Sequence, residues 1–231
     1  VLLWIIPSAG VIINSFRTPR AMRNSGWWTA LKTPFDMTMW SLETYEEVLQ
    51  TQGLATSFRN SFLITIPATI IPILIAAFAA YAFAWMKFAG RRLLFSIVVG
   101  LLVVPLQMTF VPIYSVYNRV GLTGTFLGIW LAHTGYGLPF AVYLLRNFFG
   151  SLPKDIFESA FLDCASFFES LWRLALSLSV PSLASLAIFQ FLWVWNDLLV
   201  ALIYLGGTRS VAPLTVTVAN LVNSLGTEWY L

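Results

Sequence analysis

The sequence is poor in the residues that usually carry chemistry. It has one cysteine, Cys164, and one histidine, His133, in 231 residues. A single cysteine excludes an intrachain disulfide framework, and one histidine leaves almost nothing from which to build a metal site. Charge is scarce too, at 10% of residues against about 25% in an ordinary soluble domain. The net charge of +3 is modest and no Lys/Arg-rich run is present, so nothing points to a nucleic-acid partner. No Gly-x-x-x-x-Gly-Lys-Ser/Thr loop occurs, which excludes that type of ATP site in this chain. No His/carboxylate cluster or nucleophile with a base stands out, so the chain does not read as an enzyme.

What is present is apolar surface. Hydrophobic residues make up 58% of the chain and the mean hydropathy is +0.79. One soluble core could not hide that much, so lipid is the expected solvent and an all-α, multi-span helix bundle the expected fold. Ten tryptophans fit the belts of membrane–water interfaces. Residues 1–13 are apolar but short of the roughly 20 needed to span. With no initiating Met and no basic leader they read as the remnant of a first span rather than a signal peptide. The abrupt stop at Glu228-Trp229-Tyr230-Leu231 adds to the expectation of a fragment truncated at both ends.

Four further apolar segments follow, near 60–85, 93–115, 126–145 and 175–205. They contain Pro67, Pro72, Pro105, Pro112, Pro139 and Pro181. Bundles tolerate such prolines, and two readings stand: ordinary kinks, or bends that a moving transport path uses. Lys87, Arg91 and Arg92 crowd one loop, and Arg146, Lys154 and Arg173 flank another on the same side. The positive-inside rule makes that side cytoplasmic. Arg17, Arg20, Arg23, Lys32 and Arg59 lie opposite, spread over a long segment that counts weakly. The expected organisation is an external segment over 14–57 and a membrane core over 58–231. That core would have about four transmembrane helices and a cytoplasmic loop at 150–175. Residues 42–49 read as a short amphipathic helix with Leu42, Tyr45 and Leu49 on one face, lying on the membrane surface or against an external partner.

Two places could carry function. In the loop, Ser151-Leu152-Pro153 reads as a helix start, with a capping Ser and an early Pro. A helix over Pro153 to Leu162 puts Phe157, Ala160 and Phe161 on one face, with Asp155 and Glu158 near another. Asp163 is placed to cap a second helix through Phe167, Phe168, Leu171 and Trp172. Exposed aromatics beside small residues suit a docking surface, and the plainer alternative is a solvated loop. The second place is Trp193 to Asp197. An ionisable group in a span is a functional-site hypothesis by default. Asn196 and Asp197 are candidates for lining a polar path through the membrane, and Trp193 and Trp195 for stacking on the apolar face of a hydroxylated ligand. The alternative is that Asp197 caps a helix break. Gln107 and Asn147 are candidates for path lining or interhelical hydrogen bonds. His133 reads as a packing residue.

Several motifs in order carry a family resemblance. Ser151-Leu152-Pro153-Lys154-Asp155-Ile156-Phe157-Glu158-Ser159-Ala160-Phe161-Leu162-Asp163-Cys164-Ala165-Ser166 resembles the EAA loop of the membrane (permease) subunits of binding-protein-dependent ABC importers. Pro181 falls where that family has its Leu-Pro. Val104-Pro105-Leu106-Gln107, Val111-Pro112-Ile113-Tyr114, Gly121-Leu122-Thr123-Gly124-Thr125 and Trp195-Asn196-Asp197 are similar to the carbohydrate-uptake class, the maltose-type subunits. The resemblance covers about 60–231.

It implies a transport subunit, with Glu158, Ser159, Ala160, Asp163, Cys164 and Ala165 coupling to a separate ATP-binding subunit. It also implies a second permease subunit, an external substrate-binding protein, surrounding membrane lipid, and a cell (inner) membrane location. Whole members have six spans, so five apolar helices are expected here. No cofactor is expected in this chain, ATP and Mg being bound by the partner. Two departures stand out. Ser159 replaces an Ala, and Cys164 replaces a Gly that tolerates positive φ. Either the Cys164 turn stays at negative φ or the docking geometry differs slightly, and a small buried filler is a plainer role for Cys164 than a redox switch. An ion-coupled secondary transporter is the competing function, but it would need more midplane carboxylates than Asp197 alone and usually an internal repeat.

Overall fold

The computed structural model describes residues 2–46, 49, 53–208 and 210–224. Among these there is no β-strand, only an isolated bridge between Arg17 and Trp40. The end at 228–231 lies outside the described residues, as do Glu47 and Val48 of the expected amphipathic helix.

The N-terminal part is one apolar helix and a folded cap. α1 (Leu2–Ser15) leads to α2 (Pro19–Asn24), two short 3-10 turns (Trp27–Thr29 and Met37–Met39) and α3 (Glu43–Glu46). Arg17 organises this cap. Its side chain is fully buried and donates to the carbonyls of Ala21 and Ser25, at 2.9 and 3.0 Å. Those carbonyls end α2, so the guanidinium satisfies acceptors that a helix terminus leaves orphaned. Tyr45 Oη donates to Ser15 Oγ at 2.7 Å and its ring lies 5.3 Å from Phe16, which ties α3 back to the end of α1.

The membrane core is built on α4 (Leu54–Trp85) and α7 (Phe126–Ser151), which make the most extensive contact in the fold. They run parallel. Trp130 Nε1 donates to the Leu63 carbonyl at 2.9 Å near one end, and Trp85 Nε1 to the Phe149 carbonyl at 3.1 Å at the other. Close approach comes from small residues: Ala68, Ala76, Ala77 and Ala80 of α4 are buried, while Phe62, Ile66, Ile70 and Phe78 on its other faces are exposed. This is how a helix packs when lipid is as apolar as leucine. Chain reversal between the two helices uses α5 (Arg91–Leu101) and α6 (Leu106–Arg119), bent by 100° at Pro105. The expected single segment over 93–115 is therefore two helices. α11 (Val180–Trp195) packs antiparallel onto α4, and Gln190 Nε2 donates to the Ala68 carbonyl at 3.2 Å. Gly137 of α7 makes room for that amide; a Cβ there would sit 2.6 Å from Gln190 Nε2.

Among the described residues, one helix, α4, can cross a membrane by length and composition, or up to three segments can if each bent pair counts as one span. α7, 26 residues long, does not reach that hydropathy. Its His133, Thr134 and Gly137 are buried against protein rather than lipid, so it needs less apolar surface. The expected segment 175–205 also divides. Phe167–Leu178 and Val180–Trp195 meet at 76°, and the chain breaks again before α12 (Leu199–Leu205). α13 (Leu214–Ser224) follows and packs on α4.

Candidate coupling surface and buried polar cluster

The loop after α7 folds into a short arm. α8 (Lys154–Leu162) begins after Pro153, and Asp155 in its first turn faces the positive end of the helix dipole. Ser151 is not the expected cap. It ends α7, and its hydroxyl donates to the Phe148 carbonyl at 2.7 Å. Phe157 is fully buried, its ring stacked 4.0 Å from Trp85 at 24° and packed among Tyr81, Leu145 and Phe149. The face expected to hold Phe157, Ala160 and Phe161 together is thus split. Phe157 belongs to the core, Ala160 is half-buried, and Phe161 packs edge-on against Phe167 at 5.4 Å. Asp155, Glu158, Ser159 and Leu162 are exposed.

The arm ends in a left-handed turn at Cys164, whose φ is +62°. The Ala165 amide donates to the Ala160 carbonyl at 2.9 Å and the Cys164 amide to the Phe161 carbonyl at 3.1 Å. This is the Schellman closure, which normally places glycine at the residue carrying positive φ. The expected alternative of negative φ is corrected, and so is the buried-filler reading, because Cys164 is exposed. Asp163 is the C-terminal cap of α8 rather than the cap of the next helix. That role falls to Ser166, which forms a capping box with Glu169 at the start of α9 (Phe167–Glu169). Glu169 N donates to Ser166 Oγ at 3.2 Å, and Ser166 N to Glu169 Oε2 at 3.0 Å. The backbone and hydroxyl donors of Ser166 hold the Glu169 carboxyl below its ordinary range. A wide π turn, Ser170–Ala175, and α10 (Leu176–Leu178) lead into α11. Phe168 and Trp172 are exposed, as expected, whereas Leu171 is buried. Asn147 is exposed and accepts from Arg146 Nη1 at 3.1 Å.

At the opposite end, Asp197 sits at the break between α11 and α12 with its side chain 11% exposed. Its carboxylate accepts from the amides of Val200 and Ala201 at 3.3 and 3.0 Å, capping the first turn of α12. Thr215 Oγ1 donates to its carbonyl at 2.7 Å. His133 is buried behind it, with Nε2 3.9 Å from Asp197 Oδ2 and its ring edge-on to Trp193 at 5.4 Å. Trp195 turns away into a cluster with Phe58, Phe62 and Phe191. Asn196 donates to the Leu192 carbonyl at 2.7 Å in its own helix. Gln107 is exposed on α6, apart from these residues. The structure thus brings Asp197, His133 and Trp193 together.

Trp193 also borders a cleft of about 360 Å³ between α7 and α11, lined by Tyr136, Gly137, Phe140 and Gln190 among others. Sequence reasoning passed over Gln190, Tyr136 and Asn60. Tyr136 Oη lies 2.9 Å from Thr109 Oγ1 and 2.8 Å from Tyr204 Oη. Asn60 donates to the carbonyls of Ser210 and Ala212, at 3.0 and 3.2 Å. For Gln190 and Asn60 the readable signal was a side-chain amide inside an apolar helix, which must find a partner there. Among the described residues, no group of three or more His, Cys, Asp or Glu side chains could hold a metal ion.

The described residues thus form a helical bundle with a half-exposed arm at one end and a buried polar cluster at the other. The chain belongs to the family of binding-protein-dependent transport system inner membrane components, whose profile matches residues 72–225. It is 56% identical over 229 residues to the osmoprotective compounds uptake permease protein GgtD of Synechocystis, covering 99% of this chain and 77% of that protein. It is 54% identical over 194 residues to the alpha-glucoside transport system permease protein AglG of Rhizobium meliloti. That match covers 82% of this chain and 51% of AglG, so the chain spans about half of that relative. A crystal structure of a bacterial ABC transporter involved in the import of the acidic polysaccharide alginate superposes with a TM-score of 0.80. The superposition covers 97% of this chain and 76% of that one at 20% identity, which speaks to the fold alone. The family assignment displaces the ion-coupled secondary transporter.

Proposed function

We propose that this chain forms part of the translocation path for a neutral polyhydroxyl solute, a sugar or sugar-derived osmolyte, in an ATP-driven importer. The exposed face of α8 and the Cys164 turn dock on a cytoplasmic ATP-binding subunit, which binds ATP and Mg and performs the hydrolysis. A second permease subunit completes the path, and an external binding protein delivers the solute. Residues 14–57 lie outside and the 150–175 loop lies in the cytoplasm, in line with the basic residues at that end of the bundle.

One observation carries this reading. Phe157 fixes α8 to the joined ends of α4 and α7, while Glu158, Ser159, Asp163 and Cys164 stay exposed, with Ala160 and Ala165 half-buried beside them. A helix that is rigidly held yet half uncovered suits the transmission of a partner's motion into the bundle. The solute class rests on the transport named for the two relatives, and on a cleft where indole and phenyl faces border one amide and one hydroxyl. Trp193, Tyr136 and Gln190 are the residues proposed to face the path. Asn196, Trp195 and Gln107 stand further from that cleft. Asp197 acts by holding α12 in place.

The test is charge reversal at the docking face. Glu158→Lys and Asp163→Lys in the assembled complex should abolish uptake while ATP hydrolysis persists and the chain remains in the membrane. Normal uptake in both variants would sink the assignment.

A further inference from the structure

We propose that Lys87, Arg91 and Arg92 form a binding site for the phosphate of an anionic phospholipid. This goes beyond the transport function and does not depend on it. α4 ends at Trp85 and α5 starts at Arg91, so the turn between them gathers three cations within six positions. They line an open cleft of about 480 Å³ together with Phe88 and Leu93. Among the described residues, no carboxylate forms an ion pair with any of them. Arg91 Nη1 donates to the Met86 carbonyl at 2.9 Å, which orients the guanidinium while leaving its other N–H groups free to meet an anion. A planar guanidinium fork matches a phosphate better than a point charge does, and a lysine beside it adds unspecific attraction.

What lies next to the cations selects the source of that phosphate. Phe83 lies between Phe88 and Phe95, tilted to both rings, with centroids 5.9 and 5.5 Å away. Arg146 comes from α7 to lie 4.8 Å over the Phe95 ring. Beyond this aromatic layer, α5 presents Leu93, Leu94 and Ile97, exposed by 66, 48 and 51%. Cations, then aromatics, then bare aliphatic side chains repeat the order headgroup, interface, hydrocarbon. A free phosphate would use only the first layer. An acidic protein surface would leave the aliphatic layer uncovered. A two-chain anionic lipid fills all three.

The experiment uses the assembled importer in detergent and in phosphatidylcholine vesicles, with and without phosphatidylglycerol. Association of spin-labelled phosphatidylglycerol relative to phosphatidylcholine is measured for the wild type, for Lys87→Gln/Arg91→Gln/Arg92→Gln, and for Arg119→Gln at the other end of the α5–α6 pair as a control. Each cation near an anionic headgroup contributes about fivefold in partitioning. The triple variant should therefore lose on the order of a hundredfold of selectivity at the tightest site, and Arg119→Gln should lose none. Arg91→Lys should keep most of it. Absence of any phosphatidylglycerol preference in the wild type overturns the proposal whatever the variants do. Unchanged preference in the triple variant also overturns it. So does loss of the ATP-binding subunit from the triple variant with lipid preference intact, which would assign the cations to a protein contact.

Discussion

Replacing Phe157 by alanine removes the ring that joins the arm to the bundle. Phe157 is fully buried and stacks 4.0 Å from Trp85, whose indole N–H in turn holds the Phe149 carbonyl at the end of α7. Truncating a buried Phe costs about 3–5 kcal/mol, the spread depending on how far the site collapses. The stacked pair accounts for roughly 0.5–1.5 kcal/mol of that. α8 has nine residues, too few to persist on propensity alone, so its place on the bundle depends on this anchor. The loss therefore falls on the arm first, and α4 and α7 keep their alanine-lined contact. The assay is solute transported per ATP hydrolysed by the reconstituted complex, alongside its melting temperature. Phe157→Ala should drive that ratio toward zero while hydrolysis continues. Phe157→Leu keeps apolar volume and should recover much of the ratio. A wild-type ratio in Phe157→Ala, with unchanged melting temperature, would refute the anchoring argument.

Three further outcomes follow from the same geometry. Cys164→Gly relieves a left-handed conformation that costs an ordinary residue about 1 kcal/mol, so the complex should melt higher, whereas Cys164→Val should melt lower. Asp197→Ala removes the acceptor for two amides of α12 and should destabilise by about 1 kcal/mol; Asp197→Asn, which keeps one acceptor oxygen, should retain near-normal KM and maximal rate, and a large KM change in Asp197→Asn would return that carboxylate to the solute path. Glu169, held low by Ser166, contributes order to the start of α9 that is complete above the ordinary Glu value of about 4.3 and is lost as pH falls through its lower folded value. The protection of the Ser166 to Leu171 amides, taken as exchange relative to the intrinsic rate at each pH, should fall on acidification in the wild type, and Glu169→Gln should flatten that dependence.

The arm was legible because its signals are local. A Pro at the start, an acidic first turn and a small-residue turn at the end define α8 within a residue of the expected span. The misassigned cap was also readable: Ser166-Phe167-Phe168-Glu169 is a capping-box pattern, and weighing its Glu would have preferred Ser166 over Asp163. Cys164 was harder. Only the closed turn shows that the backbone there is left-handed and the thiol outside. α4 announced itself through the aliphatic faces it turns to lipid, whereas α7, enclosed by protein, hides behind glycine, histidine and threonine. The breaks at Pro105 and before α12 depend on which neighbours accept the freed backbone groups. Of the two readings open for Asp197, path lining and a cap at a helix break, the amides of Val200 and Ala201 on its carboxylate fit the cap.

The central claim is that the exposed face of α8 and its closing turn meet an ATP-binding partner, and Cys164 reports on it directly. It is the sole cysteine of the chain and lies exposed in the turn. The rate of maleimide alkylation of Cys164 should be compared between the membrane subunit alone and the complex with its ATP-binding subunit. Strong protection on assembly, released when Glu158→Lys weakens docking, is the predicted result. Equal rates with and without the ATP-binding subunit, in complexes shown to be intact, would contradict the account.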